Sequence, residues 1–232
     1  MLVTEAIMRS TRSPIVRVRV LALGLAVTAL PACGYGSPGD VEVGAGDVVS
    51  RARTVADFTE VQAGGGIQVQ LASGPKQVVV TAQPNIVDIT RTDVTGARLT
   101  LDTSSGFMST DGIVVKVTVP RLTAVELSGG ASASGTVGKA DALAVRMSGG
   151  ARATLSGSAG TLDLQASGGA IPALGDLRTT DAKVDLSGGV VATVDVSGSV
   201  TGTASGGVVL TLVRKPVSST VETSGGAVVN VP

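Results

Sequence analysis

Residues 145–157 read VRMSGGARATLSG. The triplet Ser148-Gly149-Gly150 admits two readings. It is either a site, as a phosphate-cradling loop or a nucleophile turn, or a piece of architecture. The rest of the chain decides, because Ser-Gly-Gly returns at Ser128, Ser167, Ser187, Ser205 and Ser224. Successive triplets lie 20, 19, 20, 18 and 19 residues apart. A phosphate loop needs one such turn leading into a helix N-terminus. Six copies at near-constant spacing are a structural repeat.

Aligning the segments on the serine exposes a period of two on both sides. Three positions before it stand Val125, Val145, Leu164, Val184, Gly202 and Val221. One position before it stand Leu127, Met147, Ala166, Leu186, Ala204 and Thr223. Between them lie Glu126, Arg146, Gln165, Asp185, Thr203 and Glu222. Alternating apolar and polar columns mark half-buried strands. After the triplet, Ala131, Ala151, Ala170, Val190, Val208 and Ala227 begin a second strand. Each unit therefore reads as strand, corner, strand, looser turn.

A unit of about 19 residues cannot bury its own apolar face, whereas stacked units share one continuous core. The pattern predicts an all-β, parallel β-solenoid whose coils rise about 4.8 Å each. Glycine reaches backbone angles that a Cβ forbids, which suits an abrupt corner. Serine is expected to hydrogen-bond the local backbone there. Stacking also places Glu126 beside Arg146 and Asp163 beside Lys183, each a favourable cross-strand charge pair.

Residues 50–122 share the flavour with less regularity. Ala63-Gly64-Gly65-Gly66 followed by Ile67-Gln68-Val69-Gln70-Leu71 reads as a degenerate corner and strand. Gln77–Ala82, Ala97–Asp102 and Ile113–Val119 alternate as strands, with a break at Gln83-Pro84-Asn85. A β-rich N-terminal cap continuous with the solenoid is expected. At the other end, Pro232 is expected to cap an edge strand against end-to-end stacking.

Composition bounds the chemistry. Hydrophobic residues make up 43% and charged residues 16%, too apolar for a disordered chain. The formal net charge is zero, so no basic excess points to nucleic acid. The chain has no His, which removes the commonest general base and zinc ligand. Its one cysteine is Cys33. Arg9, Arg12, Arg17 and Arg19 precede the apolar run VLALGLAVTAL, residues 20–30. These are the n-region and h-region of a secretory signal peptide, and the run is short of the roughly 20 residues a bilayer span takes. Leu30-Pro31-Ala32-Cys33-Gly34 resembles a bacterial lipobox, in which the cysteine is lipidated and becomes the new N-terminus. The alternative is a plain signal peptide with a chance cysteine. The expected organisation is a signal peptide over 1–32, a flexible tether over 33–52 and one solenoid domain over 53–232. Within that domain, 53–122 is irregular and 123–232 regular.

A family resemblance rests on motifs in serial order. These are Asp57-Phe58-Thr59-Glu60-Val61, the Gly-Gly-Gly-Ile-Gln-Val-Gln-Leu stretch, Val117-Thr118-Val119-Pro120 before Arg121-Leu122, and the L-S-G-G-A units. Together they resemble the head GIN domain family, the auto-transporter adhesins, over about Arg53 to Val231. The resemblance implies a right-handed parallel β-helix exported to the cell envelope. It carries no catalytic residues, and its name implies adhesion. The chain departs from many members in using Gly-Gly for Gly-Ala-Gly, and in lacking an aromatic near Val213-Arg214-Lys215-Pro216.

Other motifs carry little chemistry. Gly34-Tyr35-Gly36-Ser37-Pro38-Gly39 fits G-x-G-x-x-G but has neither a strand before it nor a helix after it. Parallel β-helices often host glycan-active enzymes, which need paired carboxylates. Asp163, Asp185 and Asp195 are the candidates, but the constant coil length leaves no loop to build a cleft. One outward column is more informative: Ser132, Arg152, Ile171, Val191, Val209, Val228. Four stacked apolar residues facing solvent would mark an interaction surface, and a register shift would bury them instead. The favoured expectation is a non-catalytic, envelope-anchored solenoid without cofactor or metal. It would be held to the membrane by lipid at Cys33 and bind an envelope protein or glycan through Ile171, Val191, Val209 and Val228. The alternatives are a carbohydrate-active enzyme and an extracytoplasmic signalling component.

Overall fold

In the computed structural model, which describes residues 41–232, the alternating columns become strands and the triplets become corners. The segment expected as a signal peptide, Cys33 and residues 34–40 lie outside the described residues. The chain enters with β1 (Val41–Val43) and β2 (Val49–Arg53), then makes a first coil from β3 (Glu60–Ala63) and β4 (Gln68–Ser73). It continues through β5 (Gln77–Ala82), the short helix α1 (Pro84–Ile89) and β6 (Thr90–Thr95). A second coil follows as β7 (Arg98–Thr103), β8 (Gly106–Met108) and β9 (Val114–Val119).

These coils do not stack in chain order. β3 pairs in parallel with β7 on one side and with β10 (Ala124–Leu127) on the other. β4 likewise lies between β9 and the start of β11 (Ser132–Met147). The first coil in sequence is thus the second in space. Below the β7–β9 coil the sheet turns antiparallel, with β6 on β7, β5 on β9 and β2 on β5. This is the expected cap, and α1 completes it. Ile86 and Val87 are fully buried against the core. Two side chains reinforce the helix end, where the Thr90 N–H already donates to the Ile86 and Val87 carbonyls. Arg53 Nη2 donates to the Val87 carbonyl at 2.6 Å, and Thr90 Oγ1 donates to the Ile86 carbonyl at 2.7 Å. The sequence reading saw only a break at Gln83–Asn85. A proline in the first turn is also compatible with a helix start, and tertiary burial of Ile86 and Val87 selects that outcome.

Part of the segment expected as a tether, 33–52, is strand. β1 pairs with β8 and β2 pairs with β5, so residues 41–43 and 49–52 belong to the folded unit. They lack a repeat signal because they serve the edge of the cap.

Beyond β10 the coils follow one another. β12 (Arg152–Ala166), β13 (Ile171–Gly188), β14 (Val191–Val196), β15 (Ser199–Gly206), β16 (Val209–Leu212), β17 (Ser218–Gly225) and β18 (Val228–Asn230) stack in parallel ladders. The registers match the serine alignment: Val125 sits beside Val145, Val145 beside Leu164, and Leu164 beside Val184. All four are buried, and burying each such side chain is worth about 1.5–3 kcal/mol.

The structure corrects the looser turn. β11, β12 and β13 run straight through it, and their middle residues form a third ladder, with Lys139 beside Ser158 and Ala140 beside Ala159. Register shifts at Thr136/Lys139 and Thr154/Ser156 interrupt the period-two pattern, which hid this side from the sequence. The end of the solenoid also differs. Pro232 stands outside β18 and is exposed, and Val221, Ala227 and Val229 of the last coil are only partly buried. The last coil ends on the eight-residue β17 and the three-residue β18, each paired on one side only, and the proline caps neither.

The corners divide the labour of the two glycines. Gly149 has φ +69°, and a Cβ there would sit 3.1 Å from the Gly129 carbonyl oxygen of the preceding coil. Gly150 has no such angle, and its Cβ would meet that oxygen at an ordinary 3.6 Å. None of the six corner serine hydroxyls makes a hydrogen bond with the described residues, contrary to expectation; the backbone alone holds the corner. Gly149→Ala should therefore cost about 1–3 kcal/mol, and Gly150→Ala less than about 0.5 kcal/mol. Urea unfolding of the two variants checks the contrast.

Candidate functional site

Val191, Val209 and Val228 start their strands at the same point after each corner, which fixes them in one column. The ladders run Ser132–Arg152–Ile171 and Val191–Val209–Val228. The Val191 N–H donates to the Ala170 carbonyl at 3.2 Å and joins the two. No register shift buries this column. Val191 and Val228 are 48% and 49% exposed, and Ile171 and Val209 are half-buried. A second outward column runs beside it: Thr154, Ala173, Thr193, Thr211 and Asn230. Two residues of strand separate the columns by about 6.6 Å, and coils repeat at about 4.8 Å. The result is a flat lattice of β-branched side chains, apolar in one column and hydroxyl-bearing in the next. The threonine column went unnoticed in the sequence, although it sits at a constant two residues from the valines.

The carboxylates proposed for acid–base chemistry do not converge. Asp163 and Asp185 share one side of the solenoid on neighbouring strands, since Asp163 is beside Lys183 and Asp185 beside Gln165. Asp185 accepts from Thr203 Oγ1 at 3.1 Å, and Asp163 from Gln165 Nε2 at 3.3 Å. Asp195 belongs to the third side. Its side chain is 5% exposed, and both its oxygens accept from Arg214, Oδ2 from Nη2 at 2.5 Å. This bond, more than the weaker opposing effect of burial, raises the Arg214 guanidinium above its ordinary value. Asp181 is held below the usual carboxylate range by Ser199, whose Oγ and N–H donate to Oδ1 at 2.6 and 2.8 Å. Among the described residues no cluster of three acidic, His or Cys side chains could hold a metal.

The expected charge pairs are register neighbours, but neither closes into an ion pair. Glu126 is beside Arg146, yet its partner is Arg98 at 3.4 Å, which also holds Glu60 at 3.1 Å. Arg146 reaches toward Asp163 at 4.0 Å rather than back to Glu126. Long side chains reach diagonal neighbours as readily as direct ones. Between Arg146, Gln165 and Asp185 and the corner serines Ser148, Ser167 and Ser187 lies an open polar groove of about 290 Å³.

Comparison with known proteins agrees with this architecture. The family profile described as putative auto-transporter adhesin, head GIN domain, matches residues 57–216. A putative adhesin from Bacteroides fragilis superposes with a TM-score of 0.64 at 15% identity, covering 82% of this chain and 99% of that one. A putative adhesin from Parabacteroides merdae gives 0.53 at 15%, over 83% and 99%. A structure described as a putative lipid binding protein from Parabacteroides distasonis gives 0.52 at 13%, over 83% and 100%. At these identities the likeness concerns the fold. No curated protein matches the chain.

Replacing Val191 and Val209 together with Lys should leave the unfolding free energy within about 1 kcal/mol of the parent, since their side chains face solvent. Asp195→Ala should cost about 1–3 kcal/mol by removing the two charge-assisted hydrogen bonds with Arg214, whereas Asp185→Ala should cost less than about 0.5 kcal/mol. Chemical denaturation distinguishes the three.

Proposed function

The chain belongs to the family of putative auto-transporter adhesins with a head GIN domain, and from that membership we propose that it is an exported, non-catalytic surface-binding module. The observation that carries the reading is the flat, exposed lattice of Ile171, Val191, Val209 and Val228 beside the threonine column. Exposed contiguous apolar surface costs solubility unless a partner covers it. A rigid lattice also binds without paying to order loops, which favours docking onto an extended envelope component. The proposed partner is an envelope protein or glycan presented on a surface.

Retention at the envelope is assigned to lipid on Cys33, in keeping with the lipobox-like Leu30–Gly34 and the preceding n-region and h-region.

Two variants test the reading separately. Cys33→Ser should move the protein from the membrane fraction to the soluble fraction or medium; unchanged membrane association would remove the lipid anchor. Val191→Lys with Val209→Lys should keep the folded state and the anchor but reduce capture of envelope material by the purified protein. Undiminished capture by a folded double variant would show that binding lies elsewhere.

A further inference from the structure

The third side of the solenoid carries a cleft of about 290 Å³ that no motif in the sequence announces. Small residues make its floor, Ser158, Ala159 and Gly160, between Lys139 of the coil before and Arg178 of the coil after. Its walls are cationic: Lys139, Arg178 and Arg214 all line it. The ladder fixes their order. Lys139 lies beside Ser158, Ser158 beside Arg178, and Arg178 beside Asp195, which Arg214 of the next coil clasps. With coils about 4.8 Å apart, Lys139 and Arg178 stand roughly 10 Å apart along the axis, and Arg214 roughly as far again. The cleft is therefore flanked by a row of cations, one for every two coils.

The nearby carboxylates do not cancel this row. Asp195 is buried behind Arg214, where it fixes the guanidinium while the Arg214 side chain stays 45% exposed. Asp141, two residues from Lys139, is engaged by Arg121 at 3.1 Å. Asp176, two residues from Arg178, is exposed but does not line the cleft. Lys139 and Arg178 form no ion pair among the described residues. Thr180 and Ser158 add hydroxyl groups between the cations. Two unpaired cations and one held in place, spaced along a recess with hydroxyl donors between them, match an extended ligand of repeating negative charge.

We propose that this cleft binds a linear acidic polysaccharide, whose carboxylate or sulfate groups meet Lys139, Arg178 and Arg214 in turn. The span from Lys139 to Arg214, roughly 19 Å, is more than one small oxyanion bridges. The recessed floor suits a single strand of polymer lying along the axis better than a flat bilayer, which would meet the rims first. Such a ligand binds through the third side and leaves the Val191 lattice free, so this site is additional to the proposed docking surface.

Equilibrium binding of fluorescent dextran sulfate to the intact protein, against uncharged dextran of equal length, tests the assignment. The parent should bind only the sulfated polymer, with affinity that falls as salt rises. Lys139→Gln with Arg178→Gln should weaken binding by roughly tenfold or more, through loss of two charge-assisted contacts. Lys116→Gln with Lys183→Gln removes the same charge from other sides and should leave affinity unchanged. Matching thermal melts establish that both pairs are folded. Equal weakening in both pairs would reduce the effect to bulk charge and overturn the site, as would unweakened binding in the first pair. Capture of phosphatidylglycerol vesicles without binding of dextran sulfate would overturn the polymer assignment in favour of a membrane.

Discussion

The structure depends on how one corner sits on the next. The Gly150 N–H donates to the Gly129 carbonyl at 2.8 Å, Gly169 to Gly149 at 2.9 Å, and Gly189 to Gly168 at 2.7 Å. Each bond requires the first glycine of a triplet to take a positive φ and to present its carbonyl along the axis. A Cβ on that residue would press on the carbonyl beneath it. The repeat is thus conserved within the chain by contact: every corner is shaped by the one before. Because corners hold register, the inward columns of Val, Leu, Met and Ala meet their counterparts, and each coil buries what it could not bury alone.

A stack of this kind has two ends, and the chain treats them differently. At the N-terminal end the ladder direction reverses through β5 and β6, and α1 lays Ile86 and Val87 across the core. The first coil is then gripped between the second and third, so the cap and the repeats cannot separate without breaking two parallel ladders. At the other end the last coil carries Val221, Ala227 and Val229 only partly buried. The same regular stacking that makes the core also projects the outward side chains as lattices. Surface chemistry here is a matter of which residue type repeats in which column.

That distinction explains what the sequence could reveal. Columns aligned on the serine gave the strands, the corners, the registers and the outward position of Ile171, Val191, Val209 and Val228, because a constant offset from the corner survives in the sequence. Features that break the offset were hidden. The third ladder lies beyond register shifts at Thr136/Lys139 and Thr154/Ser156, so Lys139 and Arg178 gave no sign of sharing a cleft. The stacking order of β3, β7 and β10 is a long-range choice with no local signature. Arg98 reaches Glu126, and Arg146 reaches Asp163, past their register neighbours, because side-chain length as well as register sets reach. Asp195 shows the same limit: its column is readable, but its burial under Arg214 depends on the next coil.

Native-state amide exchange at the corners tests the central claim most directly. If corner-to-corner hydrogen bonds hold the stack together, the N–H groups of Gly150, Gly169 and Gly189 should be protected as strongly as those of Val145 and Leu164. They should then exchange only through global unfolding. Exchange as fast as that of exposed turn amides, with the core strands still protected, would contradict the account and make the corners mere connections.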